Sequence, residues 1–184
     1  GSPASPPQNG SEDRPMSRLL ECAIALLVVL GMAVSAAAAP LPMPKGAPIL
    51  TVTGKISETN VGAAAVFDLA MLEALPGRVT ETETPWTKGR VRFTGPLGAS
   101  FLDAIGAGGT TLRLVALNDY AVDVPVEDFR KWPVILATRK DGAPMSVRDK
   151  GPIFVIYPFD VDPSLYDERI FSRSVWQVKA IEVR

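Results

Sequence analysis

None of the 184 residues is histidine. A Ser-His-Asp triad, an imidazole general base and a zinc site built on imidazole are therefore excluded by residue type alone. Cysteine occurs once, at Cys22, ahead of an apolar run and outside any lipoprotein acylation box. The carboxylates show no paired spacing that singles out an acid–base couple. Gly106-Ala107-Gly108-Gly109 and the turn at Gly54 lack the context of a P-loop or a G-x-G-x-x-G fingerprint and read as loops. The remaining candidates donate, accept or stack: Asn118-Asp119-Tyr120, Arg148 beside Asp149 and Lys150, and Arg173-Ser174 ahead of Trp176. Each has a plain structural reading as well. Asn-Asp suits an Asx turn, the 148–150 charges suit a solvated loop, and a tryptophan commonly packs against a sheet.

Composition bounds the class. The chain is 47% hydrophobic, enough for a core, and its 19 Lys+Arg against 20 Asp+Glu leave a net charge of -1, without the basic surplus of a nucleic-acid binder. Residues 1–15, rich in Ser, Pro and Gly, read as a non-native or misassigned leader ahead of Met16. Residues 16–39 read as a cleavable signal peptide: Arg18, an apolar centre from Ala23 to Val34, then a small-residue end with cleavage near Ala37 to Ala39. A transmembrane anchor is the alternative for the same stretch. The exported chain would then hold neither Cys nor His, and its core alone would carry its stability.

The elements that must position the candidate residues follow from pattern. Ile49 to Thr53 is a β-rich run ended by Gly54. Asp68 is an N-cap for a helix Leu69 to Leu75, stopped by Pro76-Gly77. Arg78 to Thr84 and Val91 to Thr94 read as strands. Leu97, Phe101, Leu102 and Ile105 have helical spacing before Gly106. Thr111 to Leu117 pairs with Ala121 to Pro125 across Asn118-Asp119-Tyr120, and Val126 to Lys131 is a helical turn. Val134 to Thr138 and Ile153 to Tyr157 are apolar strands with Asp141-Gly142 turning between them. Val175 to Val183 closes the chain as a strand, with Trp176, Val178, Ala180 and Glu182 on one face and Val175, Gln177, Lys179 and Ile181 on the other. Many short strands with a few short helices predict a single mixed α+β domain over residues 40–184.

The ordered motifs add a resemblance. Trp86-Thr87-x-Gly89, Phe93-Thr94-Gly95-Pro96-Leu97, Asn118-Asp119-Tyr120 with Val124-Pro125, Asp141-Gly142-x-Pro144-Met145, Asp149-Lys150-Gly151-Pro152 and Ser174-Val175-Trp176-Gln177-Val178-Lys179-x-Ile181 resemble the molybdopterin-binding domain of the sulfite oxidase fold. The likeness runs from about Ile49 to Arg184. Enzymes of that fold hold molybdenum through a cysteine, which the exported chain would lack. Where they have Ser-Val-Lys-Trp, with the lysine against a cofactor phosphate, this chain has Ser174-Val175-Trp176-Gln177. In the segments Leu117–Tyr120, Met145–Pro152, Tyr157–Asp160 and Arg173–Val178 it is similar to a cysteine-lacking, exported branch, the PruR-type pterin-binding regulators. That resemblance implies a periplasmic, non-catalytic protein that binds a reduced pterin, with no covalent cofactor and no molybdenum. It also implies control of a membrane-bound cyclic-di-GMP enzyme or sensor kinase through its periplasmic domain. A molybdopterin-dependent oxidoreductase and an adaptor with a vestigial pocket are the alternatives.

On this resemblance Trp176 supplies the stacking face for the flat bicycle. Arg173 and Ser174 are donors for ring O4 or N5, and Arg148 is a donor from its loop. Asn118 offers donor and acceptor, Asp119 a carboxylate for the amino edge, and Tyr120 packing or contact. Trp86 and Trp132 read as structure or partner surface, and Tyr157-Pro158-Phe159-Asp160 as a rigid strand exit.

Overall fold

The computed structural model describes residues 1–4 and 40–184. Apart from residues 1–4, the leader and signal-peptide readings lie outside the described residues, and the architecture is that of the unit Ala38–Arg184. Pro48–Gly54 (β1) alternates so that Leu50 and Val52 are buried, and it pairs antiparallel with the wholly buried Ala65–Asp68 (β2). Asp68 then ends the strand and starts the helix Leu69–Glu73 (α1). Its Oδ1 accepts from the N–H of Met71 at 2.8 Å, while Oδ2 accepts from Lys45 and Gly46 at 2.9 and 2.8 Å. One carboxylate thus caps a helix and ties down the proline-rich lead-in. These N–H donors, Gly46 foremost, hold it below the ordinary carboxyl value.

Gly77–Thr82 (β3) and Val91–Pro96 (β4) form an antiparallel pair. Gly98–Ile105 (α2) follows, with Phe101, Leu102 and Ile105 wholly buried as their spacing predicts; each such side chain contributes roughly 1.5–3 kcal/mol. Gly106 closes that helix at φ 57°, the left-handed conformation that favours glycine. Thr111–Ala116 (β5) and Ala121–Pro125 (β6) pair around the 118–120 turn. Val126–Lys131 (α3) places Glu127 and Asp128 in its first turn and Arg130 and Lys131 in its last, matching the helix dipole. Ile135–Ala137 (β7) pairs with Phe154–Ile156 (β10). Arg139–Lys140 (β8) and Ala143–Pro144 (β9) make a short hairpin. Glu168–Arg173 (α4) precedes the last strand, Val178–Val183 (β11).

The closing strand lies at the centre. The larger sheet has the order β2-β1-β11-β5-β6, in which β11 runs parallel to β1 and antiparallel to β5. A four-stranded sheet has the order β3-β4-β8-β9, and β10-β7 form a third pair. The main core fills between the large sheet and its helices. A second core, with Phe93, Phe154 and Ile156 among its members, sits beneath β4 and β7. At Gly95 a side chain would collide with the carbonyl of Leu136, so the sheet closes there only over glycine. The domain is α+β, as its pattern of short elements predicts. Among the described residues no helix is long and apolar enough to cross a membrane.

Three expectations are corrected. The last strand begins at Val178 and not at Val175, because Gln177 takes a left-handed φ of 55° and its N–H donates to the carbonyl of Lys150. A register shift between Val178 and Ala180 then breaks the expected alternation. Val178, Ile181 and Val183 are buried, while Ala180 and Glu182 are half-buried. Asp141-Gly142 turns the β8–β9 hairpin on the edge of β4 and does not join β7 directly to β10.

Candidate functional site

Trp176 occupies the irregular stretch between α4 and β11, and its neighbours fix it from both sides. The Ser174 hydroxyl donates to the carbonyl of Ile170 at 2.8 Å, and the carbonyl of Val175 accepts from Val155. On the other side the Gln177 side-chain amide donates to the carbonyl of Val147 at 2.7 Å. With its flanks held, the indole turns outward and is 38% exposed. It meets Trp86 edge-on at 5.6 Å and Phe154 at 6.0 Å, and the Lys150 ammonium lies 5.3 Å over its ring.

Trp86 comes from the loop between β3 and β4, where the Thr84 hydroxyl accepts its backbone N–H at 3.3 Å. It also meets Phe171 of α4 at 5.6 Å. These rings line a cleft of about 440 Å³, within the range of small-molecule sites. Its aromatic wall is Trp86, Phe171 and Trp176; its polar lining comes from Asn118, Tyr120, Glu168, Ser172 and Ser174.

The polar groups differ in what they have left to offer. Asn118 Oδ1 accepts from the N–H of Tyr120 at 3.2 Å, whereas its side-chain NH₂ has no protein partner among the described residues. The Asx turn therefore does not compete with a binding role: it spends the oxygen and leaves the donors. The hydroxyls of Ser172 and Ser174 already donate to the carbonyls of Arg169 and Ile170, which leaves them as acceptors. Glu168, the first residue of α4, makes no ion pair or hydrogen bond among the described residues and is the charged side chain of the lining.

Four of the seven residues singled out from the sequence meet at this cleft: Trp176, Asn118, Ser174 and Tyr120. The other three do not line it. Arg173 is spent inward, its Nη1 donating to Asp128 Oδ2 at 2.8 Å, where the buried Tyr157 hydroxyl also donates at 2.6 Å. Burial, reinforced by the Asp128 carboxylate, pushes the Tyr157 phenol far above its ordinary range. Asp119, at a left-handed φ of 66°, turns outward to Lys179 Nζ at 2.6 Å. Arg148 stands exposed on a 3₁₀ turn, Val147–Asp149.

Trp86, Phe171, Glu168 and Ser172 are among the lining residues that sequence reasoning did not select. Trp86 reads from sequence as structure or partner surface, and the three others ride on α4, whose start is signalled by the Asp167 cap accepting from the N–H of Ile170 at 2.9 Å. Trp132, by contrast, packs against the main core and Tyr157, as a structural reading expects.

A second concavity of about 330 Å³ runs along β3, β4 and the end of α1. Its charged groups are mutually engaged: Arg139 lies on Glu73 at 3.1 Å, and Arg78 clasps Asp160 with two hydrogen bonds at 2.7 and 3.1 Å.

The donor set of the aromatic cleft does not fit a molybdenum dithiolene. Among the described residues no thiol lines it, and its charged group, the Glu168 carboxylate, would oppose an anionic phosphate tail. A flat, uncharged heterocycle meets no such conflict. No family model matches the chain, and no curated protein matches it in sequence.

Proposed function

We propose that this protein is a non-catalytic binding protein whose aromatic cleft takes a reduced pterin and reports its occupancy by protein contact. The observation that carries the reading is Trp176, held outward at the wall of a 440 Å³ cleft beside Trp86, with the free Asn118 amide and the Glu168 carboxylate in the same lining. A pterin requires what those groups supply: an aromatic face, an acceptor for its 2-amino edge and a donor for its 4-oxo group. The absence of histidine and of paired carboxylates in the sequence supports binding without turnover.

On the sequence resemblance, the setting is the periplasm, reached by a cleaved signal peptide. The partner is the periplasmic domain of a membrane-bound cyclic-di-GMP enzyme or sensor kinase. Exposed Leu117, Tyr120 and Val147, at 42%, 57% and 53%, support contact with a protein. They equally favour a second reading, an adaptor whose cleft is vestigial. Titration of the purified chain with 7,8-dihydropterin, followed by tryptophan fluorescence, tests the first reading. Saturable binding that Trp176→Ala weakens while the fold stays intact supports it; no binding at high micromolar ligand removes it. Partner capture from membranes that is indifferent to added dihydropterin would favour the adaptor.

A further inference from the structure

The cleft's lining contains one carboxylate, and the geometry points to Glu168 as the residue that sets which heterocycles enter: those presenting two parallel N–H donors, as the 2-amino-3-NH edge of a pterin does. The inference rests on the reading of the cleft as a pterin site and adds its selectivity.

Three observations lead to it. Glu168 lines the same cleft as Trp86 and Trp176 and makes no ion pair or hydrogen bond among the described residues. Asp119, the carboxylate that the sequence suggested for this task, is instead held on Lys179 outside the lining. The opposite polarity is supplied by Asn118, whose oxygen is tied to the Tyr120 N–H and whose NH₂ remains to donate. The cleft thus separates its functions: an acceptor pair on α4, a donor pair on the β5–β6 turn and aromatic rings in the same lining.

An ionised carboxylate has acceptors and no donor. It pairs with two adjacent N–H groups through charge-assisted hydrogen bonds. Replace the 2-amino group by an oxo group and one of those hydrogen bonds becomes an oxygen facing an oxygen, leaving both unpaired. Glutamine removes this preference, because its one acceptor and one donor complement an edge with one N–H and one oxo group, which both rings offer at N3 and O4. Stacking on the tryptophans does not sense the difference.

The test compares 7,8-dihydropterin with 7,8-dihydrolumazine, which carries an oxo group at C2 and a proton on N1 in place of the 2-amino group, against the full chain and the variants Glu168→Gln and Trp176→Ala. The native chain is expected to prefer dihydropterin by about ten-fold or more, the scale set by one unpaired polar contact in a binding site. Glu168→Gln should lose that preference, and Trp176→Ala should weaken both ligands by a similar factor. Circular dichroism and the urea midpoint check that each variant is folded. Equal affinity of the native chain for the two ligands, or an unchanged preference in Glu168→Gln, overturns the assignment while leaving the pterin cleft standing. Failure of the native chain to bind either ligand overturns the cleft reading and this inference with it.

Discussion

The aromatic cleft and the groove along β3 and β4 have similar volumes, about 440 and 330 Å³, yet they are built differently. In the groove each arginine lies on its own carboxylate: Arg78 on Asp160, Arg139 on Glu73. In the cleft the Glu168 carboxylate and the Asn118 NH₂ have no protein partner among the described residues, and an indole stands 38% exposed. A concavity whose polar groups satisfy one another is a seam between elements. One whose carboxylate, amide and indole are exposed keeps them accessible to a ligand. The contrast extends to Asp128, which lines neither depression but braces the cleft from behind, joining α3 to α4 through Arg173 and to the buried Tyr157.

The largest expected effect tests that brace. Asp128→Ala strips the buried Tyr157 hydroxyl and the Arg173 guanidinium of their shared acceptor, and should cost about 2–4 kcal/mol in urea unfolding. Because α4 carries part of the cleft wall, dihydropterin affinity should fall as well, although Asp128 does not touch the cleft. A loss under about 1 kcal/mol would mean that the brace is dispensable. Next in size, Trp176→Ala should weaken dihydropterin by about 1–3 kcal/mol in a fluorescence or calorimetric titration. It should also cost about 1–3 kcal/mol of stability, since the indole packs against Trp86 and Phe154 but stays 38% exposed. If stability collapses and affinity follows only through unfolding, the indole belongs to the core and not to the site.

Arg78→Met sharpens the other side of the comparison. The Arg78–Asp160 pair is mostly buried, at 23% and 16% side-chain exposure, and Arg78 Nη1 also donates to the buried Thr80 hydroxyl at 2.8 Å, so its removal should cost about 1–3 kcal/mol and leave dihydropterin binding untouched. Any change in affinity would mean that the groove takes part in recognition. The smallest effect concerns pH. Asp68 is held below its ordinary value of 3.8 by the N–H groups of Gly46, Met71 and Lys45. A carboxyl with a lowered folded-state pKa stabilises the fold above the unfolded value and loses that contribution as pH falls through the folded one. The stability advantage of the native chain over Asp68→Asn should therefore be full at neutral pH and shrink below about pH 4. An advantage that persists unchanged at pH 2 would place the effect in packing and not in charge.

Local rules read much of this architecture from the sequence. Asp68 as a helix cap, Leu97–Ile105 before a closing Gly106, and the β5–β6 pairing around Asn118 each depend on residues within a few positions of one another. The cleft was half legible. Trp176, Asn118, Ser174 and Tyr120 converge, but Arg173 and Asp119 turn away, because their partners Asp128 and Lys179 lie 45 and 60 positions distant and no local pattern announces them. The start of β11 escaped for a similar reason. The strand pattern from Val175 onward looks continuous, and the left-handed Gln177, whose N–H donates to the distant carbonyl of Lys150, interrupts it. Trp86 was hidden by its ambiguity, since a tryptophan's type does not say which side of its ring faces solvent.

The two sides of the cleft are anchored unequally. Trp176 lies two positions before β11, the central strand of the larger sheet; Glu168 and Phe171 ride on a helix of six residues. Amide protons of so short a helix exchange with solvent through local excursions, while those of a central strand wait for much larger openings. Entry and departure of a bound molecule can therefore follow the breathing of α4, leaving the ladder beneath the indole undisturbed.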